Sequence, residues 1–427
     1  MSNRPVAIDL FSGCGGMSLG LEAAGFDIAA SVEIDPIHSL VHHYNFPYGV
    51  TICQDIAKLS CEELLTAIKN QGFTTKIDLI AGGPPCQGYS HMGGRVLEDP
   101  RNQLIFEYAR IISTIRPKYF IFENVPGIAS GKHQQFLEEL ISIFNQNYYS
   151  IVEPIQILDS SFYGAPQKRK RLILIGYRND VAQPRYPDPT HGQDDYLLPF
   201  TTVDTAIADL STIPVFKGND QGINVSKLDY SGFRKSFNLQ PQGEYSLCHR
   251  RKVNSKIWGH LGSNHTEKTI QRFAQAIPEK KEAVSRFFKL SANGLSNTLR
   301  AGTASNKGAF TAPRPIHYLH PRCITIREAS RLHTFADWFQ FHRTIWHGFR
   351  EIGNAVVPLL AKSLGTEIIN CLNINSAMLE IRELDSVDNS ILSYNMRQAA
   401  EFWQVPRDVI PKRKRRKKET LQSTSLC

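Results

Sequence analysis

One cysteine of this 427-residue chain lies in a setting that suits a nucleophile. Cys86 follows two prolines in the stretch Gly82-Gly83-Pro84-Pro85-Cys86-Gln87-Gly88-Tyr89-Ser90, just after the apolar run 77–81. Enzymes that alternate strands and helices place reactive groups in loops at the carboxyl ends of their strands, and the two glycines would let a planar substrate approach the backbone. Taken alone, Cys86 could instead be a buried thiol in a structural turn.

A second candidate site follows the first predicted strand. The stretch Asp9-Leu10-Phe11-Ser12-Gly13-Cys14-Gly15-Gly16 leads into a helical pattern, and Glu33 lies twenty residues after Gly13. An acidic side chain at the end of the second strand can accept hydrogen bonds from both hydroxyls of a ribose. The glycines do not fit Gly-x-Gly-x-x-Gly, and no basic residue is placed to hold a pyrophosphate. The pattern therefore predicts a cofactor with adenosine but no phosphate, such as S-adenosylmethionine.

These side chains need a sheet to position them, and residues 1–180 alternate short apolar strands with helical patterns. That alternation predicts an α/β fold with a doubly wound, mostly parallel sheet. Helical spacing over 104–115, ended by Pro117, predicts a crossover helix. The predicted strands are 6–11, 28–33, 77–81, 119–123 and 172–177.

The composition of the chain changes after residue 177. Several prolines there precede a stretch without clear periodicity that is rich in Gly, Asn, Ser, Lys and Arg. A helical pattern returns from residue 324, and a short helix is predicted around 396–403. We therefore predict a catalytic domain over 1–184, a second, smaller domain over 185–315, a return to the catalytic domain over 316–375, and a C-terminal extension over 376–427.

The net charge of +9 is unevenly distributed. Residues 226–314 contain 16 Lys and Arg against 5 Asp and Glu, and 412–418 add seven consecutive positive charges, so the remainder is net acidic. This asymmetry indicates that the middle segment binds a polyanion, although basic runs are often only solvated faces or tails.

Cysteine usage and hydropathy exclude several classes of protein. The eight cysteines include no Cys-x-x-Cys and no Cys/His spacing typical of zinc, so we expect reduced thiols and no metal. No run of 18 apolar residues appears, and the N-terminus has no signal-peptide pattern. We therefore expect a cytoplasmic protein that associates with no membrane.

Six blocks in the same order resemble those of DNA (cytosine-5) methyltransferases, and 327–332 resembles a seventh. The blocks are 9–16, 32–35, 82–90, 123–125, 167–171 and 353–356. The resemblance is collinear over about residues 6–366. It implies a Rossmann-like methyltransferase domain with a smaller, irregular target-recognition domain, here 185–315.

The resemblance also implies catalytic roles. Cys86 matches the thiolate that adds to carbon 6 of cytosine, which makes carbon 5 able to attack a sulfonium methyl. Glu123 matches the carboxyl group that hydrogen-bonds ring nitrogen 3, and Arg171 matches the arginine that contacts base oxygen O2. Arg169 matches its neighbour in the same motif. Strand alternation places Gln167, Arg169 and Arg171 on one face.

For S-adenosylmethionine, the resemblance implies that Phe11 packs against adenine, that Glu33 binds the ribose, and that Asp55 lies toward the adenine amino group. Phe11 could equally be a core residue of its strand. The other implied cofactor residues are Ile56 beside the ring, Gly13, Gly15 and Gly16 in the turn, and Asn354 and Val356 against the methionine end.

A cysteine thiolate cannot reach carbon 6 in a stacked duplex, so the target base must be flipped out. Residues 88–103 are expected to close over it as a mobile loop, in which Gly94 departs from a lysine common in the family. In the second domain we expect Arg300 and Asn306 to read bases. The expected phosphate contacts are Arg250, Arg251, Lys252, Lys256, Lys280, Lys281 and Lys289.

The sequence thus predicts a monomeric enzyme that methylates carbon 5 of cytosine at a short specific site in double-stranded DNA. We expect the modification enzyme of a restriction-modification system, with a cognate restriction endonuclease acting separately. The alternatives are a tRNA cytosine-5 methyltransferase and a catalytically inactive DNA-binding regulator. His333, His342 and His347 are expected to be satisfied surface histidines, and no residue is identified as the base that removes the carbon 5 proton.

Overall fold

The structure is a computed structural model that describes residues 4–85, 103–131, 134–228, 256–302, 314–375 and 388–410. Within these residues, eight strands form one sheet. They are β1 (Val6–Leu10), β2 (Asp27–Glu33), β3 (Val50–Cys53), β4 (Leu79–Gly82), β5 (Tyr119–Asn124), β6 (Tyr149–Ile151), β7 (Gln156–Asp159) and β8 (Lys170–Arg178).

The strand order is β3-β2-β1-β4-β5-β8-β6, with β7 also paired to β8. Strands β1 to β5 pair in parallel, whereas β6, β7 and β5 all run antiparallel to β8. The predicted doubly wound, mostly parallel sheet is confirmed. All five predicted strands are present, while β3, β6 and β7 were missed because they have three or four residues and carry no buried run.

Helices cover both faces of this sheet. The first five are α1 (Gly16–Ala24), α2 (Pro36–Asn45), α3 (Cys61–Asn70), α4 (Gln103–Ile115) and α5 (Gln134–Gln146). Helix α4 is the predicted crossover helix. One core cluster joins the sheet to α3, α4 and α5 through residues such as Leu64, Ile105 and Leu140. A second cluster lies on the opposite face and includes Met17 and Leu21 of α1.

The chain then passes through small elements before it returns to the sheet. The described parts of 185–302, which are 185–228 and 256–302, contain α6 (Val203–Ser211), α7 (Glu267–Ala274) and two pairs of two-residue strands. Three residues of α6 share a core cluster with Ala329 and Leu332 of the next helix, α8 (Ile326–Leu332). Helix α6 therefore packs on the returning segment, and the predicted domain boundary at residue 184 stays a prediction.

Two helices follow in the returning segment: α9 (Ile345–Asn354), which shares a core cluster with α8, and α10 (Pro358–Cys371), which packs on the second face of the sheet. A window of 18 residues within 345–371 has a mean hydropathy of 1.2, apolar enough for a membrane span, but 67% of that window is buried. It is also interrupted at 355–357. Leu360 and Leu364 pack with α1, so the segment forms core helices. The predicted short helix near the C-terminus is α11 (Met396–Trp403).

Candidate active site

The predicted site residues that the structure describes lie near the carboxyl edge of the parallel strands. Leu10 pairs with Val32 on one side and with Gly82 on the other, and Gly82 pairs with Phe122. The segments that follow these strand ends therefore lie side by side. In an open α/β sheet this edge is where ligands bind.

Glu33 is the centre of the predicted cofactor site. Its Oε2 accepts a hydrogen bond of 2.9 Å from the Gly13 amide, and its Oε1 accepts one of 2.8 Å from the Asp35 amide. The side chain is partly exposed, and burial of the carboxyl group raises the pKa of Glu33. Each carboxylate oxygen retains a further lone pair, so Glu33 can be fixed by the protein and still accept from a ligand hydroxyl.

The turn after β1 has an unusual backbone. Phe11 has a φ of 59° and Gly13 a φ of 54°, both in the left-handed region. For a phenylalanine this conformation is costly, and such strain concentrates at functional sites. The ring of Phe11 is partly exposed and packs at the margin of a core cluster. Phe11 therefore packs on the core and keeps part of its surface exposed, so a core role and the predicted cofactor role are compatible.

The three glycines of the turn differ in what surrounds them. A Cβ on Gly13 would meet nothing within 4 Å, whereas one on Gly15 would overlap the ring of Phe46. A Cβ on Gly16 would overlap the carbonyl oxygen of Val356. Gly13 therefore borders open space at the site, while Gly15 and Gly16 are required by packing against the protein itself.

A buried polar network below the turn was missed by sequence reasoning. Asp9 Oδ2 accepts hydrogen bonds from the Ser18 amide at 3.0 Å and the Ser18 hydroxyl at 2.6 Å, and so caps α1 from a neighbouring strand. The ring of His42 bonds Ser18 and Ser31 at 2.9 and 3.0 Å. Burial raises the pKa of Asp9 to about 7 and lowers the pKa of His42 to about 3. The only sequence signal was an aspartate within an apolar strand.

The remaining residues predicted to bind the cofactor differ in their exposure to solvent. Asp55 is partly exposed after β3 and caps a short 3-10 helix through the Ala57 amide at 3.1 Å. Asn354 is exposed at the end of α9. Ile56 and Val356, with 3% and 8% exposure, belong to core clusters and contribute surfaces rather than polar groups.

Glu123 occupies the end of β5 beside the turn that leads to Cys86. Arg171 Nε lies 2.7 Å from Glu123 Oε1. A Cβ on Gly83 would lie 2.7 Å from Glu123 Oε2, so only a glycine leaves room for that oxygen. Asn124 Nδ2 donates to the Pro84 carbonyl at 3.2 Å. Cys86 itself lies outside the described residues, as do Gly94 and most of the predicted loop 88–103.

Arg169 is only 2% exposed, and its guanidinium group contacts the protein backbone. It donates to the carbonyl of Leu299 at 2.7 Å and to those of Gly353 and Ala355 at 2.9 Å each. Burial lowers the pKa of this guanidinium. Arg169 therefore joins β8 to two distant segments, whereas Arg171, two residues later, reaches Glu123.

The three candidate histidines were expected to lie at the surface with their ring nitrogens hydrogen-bonded. Two of them, His333 and His342, are buried instead. His333 is fully buried between Gln167, at 3.0 Å from Nδ1, and the Ala355 carbonyl, at 3.0 Å from Nε2. Its burial lowers its pKa, so the ring is neutral. His342 is 2% exposed, and His347 is half-buried with Nδ1 unbonded. The expectation of surface histidines is thus wrong for His333 and His342.

The basic residues predicted to contact DNA differ in exposure. Lys256, Lys280, Lys281 and Arg300 are exposed. Lys289 is 6% exposed and its ammonium group donates to the His317 carbonyl at 2.7 Å, so the prediction that it contacts phosphate is wrong. Arg250, Arg251, Lys252 and Asn306 lie outside the described residues. Among the described ranges, no group of three or more His, Cys, Asp or Glu side chains could hold a metal ion.

A glycine turn, an acidic strand end and a carboxylate-arginine pair thus lie at one edge of an open α/β sheet, the edge at which enzymes of this architecture bind their ligands. Comparison with known proteins makes the class specific. The family model for C-5 cytosine-specific DNA methylases matches residues 6–370. The chain therefore belongs to the C-5 cytosine-specific DNA methylase family, and its enzyme class is DNA (cytosine-5) methyltransferase.

Individual relatives agree with this assignment. The Type II methyltransferase M.XorII of Xanthomonas oryzae is 44% identical over 96% of this chain and 95% of its own length. The Type II methyltransferase M.DdeI of Desulfomicrobium norvegicum is 30% identical over 92% of this chain and 97% of its own. A prophage-encoded E. coli protein, described as a candidate DNA modification methyltransferase, has a crystal structure that matches with a TM-score of 0.71 at 33% identity, covering 87% of this chain and 100% of that one.

Proposed function

We propose that this enzyme transfers the methyl group of S-adenosylmethionine to carbon 5 of a cytosine flipped out of a short specific sequence in double-stranded DNA. The observation that carries the proposal is the Glu123–Arg171 pair, which lies against Gly83 at the start of the turn that continues to Cys86. A carboxylate fixed by an arginine beside a cysteine-bearing turn is what addition of a thiolate to a pyrimidine requires.

The residues at the glycine turn fit S-adenosylmethionine. Glu33 is fixed by two backbone amides and remains partly exposed, which suits it to the ribose hydroxyls. Phe11 offers a partly exposed ring for adenine, with Asp55 partly exposed beyond it and Ile56 as a buried apolar surface. Gly13 borders open space, and Asn354 is exposed near the turn's packing partner Val356. The cofactor would supply a methyl group activated by its sulfonium.

In this proposal Cys86 adds to carbon 6, and the electron pair of the broken carbon 5–carbon 6 double bond moves toward ring nitrogen 3. Glu123 Oε2, the oxygen that faces Gly83, supplies the proton that this nitrogen gains, while Arg171 holds Oε1. Carbon 5 then takes the methyl group, and loss of its own proton expels the Cys86 thiolate and restores the ring. Arg171 also contacts base oxygen O2. Arg169 acts one step away: it holds the segments around Leu299 and Gly353 in place and is a positioning residue.

We further propose that the enzyme is the modification component of a restriction-modification system, acting as a cytoplasmic monomer beside a separate restriction endonuclease. The relatives' description as Type II methyltransferases supports this assignment. Protection of chromosomal DNA needs only transient contact with each site, which a single catalytic unit with its own recognition segment can make.

Transfer of labelled methyl from S-adenosylmethionine to mixed-sequence duplex DNA and to bulk tRNA tests the proposal, with bisulfite sequencing of the DNA. We expect label on DNA at one sequence context and none on tRNA. Cys86→Ala should abolish transfer. Label on tRNA alone, or specific DNA binding with no transfer by the wild-type enzyme, would overturn it.

A further inference from the structure

The segment 388–403 lies beyond the residues matched by the family model, yet it is built into the protein. A short 3-10 helix (Asn389–Ser393) is followed by α11. Leu392 is fully buried and Ile391 is 5% exposed, and both belong to the core cluster that contains Leu40 and Val41 of α2. The end of the described chain therefore packs on α2, the helix that follows Glu33 in sequence.

Two backbone contacts fix the beginning of this segment. The Arg343 amide donates to the Leu392 carbonyl at 2.9 Å. His342 Nε2 lies 3.0 Å from the Tyr394 carbonyl, which can only accept, so Nε2 carries the proton. Burial lowers the pKa of His342, which keeps its ring neutral. The segment is thus held in place before α11 begins.

Its other end contacts the first residue of α2. Trp403 Nε1 donates to the Pro36 carbonyl at 3.1 Å. The indole also packs edge-on to the ring of His43, with centroids 5.7 Å apart, and the neighbouring Phe402 ring is 6.0 Å from His43. One side chain therefore contacts α2 at its N-terminus and near its last turn.

The N-terminus of α2 in turn supports Glu33. Asp35 caps α2 by accepting from the Ile37 amide at 3.0 Å. The Asp35 amide donates to Glu33 Oε1 at 2.8 Å, and Glu33 Oε2 accepts from the turn at Gly13. A displacement of Pro36 would therefore move the amide that orients the Glu33 carboxylate.

We propose that residues 388–403 hold the N-terminus of α2 in the position that orients Glu33, with Trp403 as the positioning residue. This inference rests on the proposed role of Glu33 in binding the cofactor. The C-terminal segment would then support the cofactor site through α2 without contacting the cofactor.

The test measures dissociation constants for S-adenosylmethionine calorimetrically, together with KM and kcat, in the full-length enzyme. Trp403→Phe keeps an aromatic ring against His43 but removes the N–H donor. We expect a two- to tenfold weaker cofactor affinity, on the order of one lost hydrogen bond, with kcat at saturating cofactor and KM for DNA unchanged. Glu401→Gln, on the same helix, exposed and with its carboxylate on Arg397 rather than on α2, is the matched control and should leave cofactor affinity unchanged.

A double-mutant cycle separates positioning from general stability. If Trp403 acts through Glu33, Trp403→Phe should have little further effect on cofactor affinity in a Glu33→Gln background. Additive effects, or wild-type affinity in Trp403→Phe, would overturn the inference while leaving the proposed function intact. Absence of S-adenosylmethionine binding by the wild-type enzyme would instead overturn the proposed function.

Discussion

At the scale of the residue, both carboxylate oxygens of Glu123 have a close neighbour that limits their position. One carboxylate oxygen is held by Arg171, and the other faces a position where only hydrogen fits on Cα of Gly83. These two neighbours determine the direction of the carboxylate. Neither neighbour is close to Glu123 in sequence, so its orientation depends on β4, β5 and β8 lying side by side.

Gly83→Ala should therefore impair catalysis more than folding. The added methyl group meets the end of a flexible side chain, so Glu123 can move away at little cost in stability, but it then leaves the position proposed for ring nitrogen 3. We expect kcat to fall by about 10²-fold or more, the range for loss of a positioned acid-base group. Steady-state kinetics and thermal unfolding measure the two effects.

Gly192→Ala is the matched control for this change. Its added methyl group would likewise meet the end of a flexible side chain, but that of Leu197 rather than Glu123. It should leave kcat unchanged. Equal losses of activity in the two variants would argue against a special role for the space beside Glu123.

Glu351 is a buried acid outside the proposed chemistry. Its Oε2 accepts from the His342 amide at 3.0 Å, whereas Oε1 is buried without a hydrogen-bond partner. Burial raises the pKa of Glu351 from 4.5 to about 8. The folded protein therefore binds this proton more tightly than the unfolded chain does.

The pH dependence of stability follows from that difference. The contribution of Glu351 is fully present below about pH 4.5 and is lost as the pH rises through 8, with a slope of up to about 1.4 kcal/mol per pH unit. Glu351→Gln should remove this slope, so its Tm relative to wild type should rise between pH 5 and pH 9. Calorimetric scans across this range, with the exposed Glu62→Gln as control, measure it; parallel profiles would contradict the expectation.

At the scale of the element, the glycines of α1 set how closely α10 approaches. A Cβ on Gly20 would overlap the Pro358 carbonyl and lie 2.7 Å from the Lys362 amide. Gly16, one turn earlier, meets Val356 in the same way. Gly365 of α10 faces Ala24 and Leu21 of α1. Small residues on both helices thus bring the returning segment against the cofactor turn.

Gly20→Ala should destabilise the protein, although alanine normally stabilises a helix interior by up to about 1 kcal/mol relative to glycine. Overpacking against rigid backbone should cost about 1–3 kcal/mol and lower the Tm. In Gly365→Ala the nearest atom is the Ala24 Cβ at 2.8 Å, and the next is a side-chain methyl of Leu21, so the loss should be smaller. A Tm above wild type for Gly20→Ala would show that the helices can separate without cost.

At the scale of the whole molecule, charge is divided between parts of the chain. The basic stretch 226–314 and the run 412–418 contrast with a net acidic remainder. Four of the basic residues have exposed side chains, whereas that of Lys289 is buried. The exposed residues are Lys256, Lys280, Lys281 and Arg300. Contacts to phosphate depend on accessible charge. The positions of the exposed Lys and Arg residues are therefore a better guide to DNA binding than the total number of Lys and Arg in the stretch.

Deletion of residues 411–427 tests the contribution of the basic run. Each phosphate contact adds about 0.9 to the slope of log K against log salt, so the deletion should make the DNA affinity less dependent on salt. Site preference and cofactor affinity should stay as in the full-length enzyme. Binding titrations at several salt concentrations measure the slope, and an unchanged slope would indicate that the run makes no contact with DNA.

The sequence by itself determined five of the eight strands of the sheet, the crossover helix α4, the order of the motifs along the chain and the family, because these depend on local periodicity and on residue types at fixed spacing. The edge of the sheet at which Glu33 and Glu123 lie also followed, since each ends a predicted strand. The alternation of Gln167, Arg169 and Arg171 predicted a common strand face, but β8 begins only at Lys170, and the pattern did not show what covers each side chain.

Only the tertiary structure decided which side chains are enclosed. Arg169 is buried by segments around Leu299 and Gly353 that are more than a hundred residues away, whereas Arg171 reaches Glu123. Burial of Lys289 and His333, and the contact of Trp403 with Pro36, also depend on distant segments. The physical reason is that local sequence sets the direction of a side chain, while its burial, protonation and hydrogen-bond partners are set by whatever the rest of the chain packs against it.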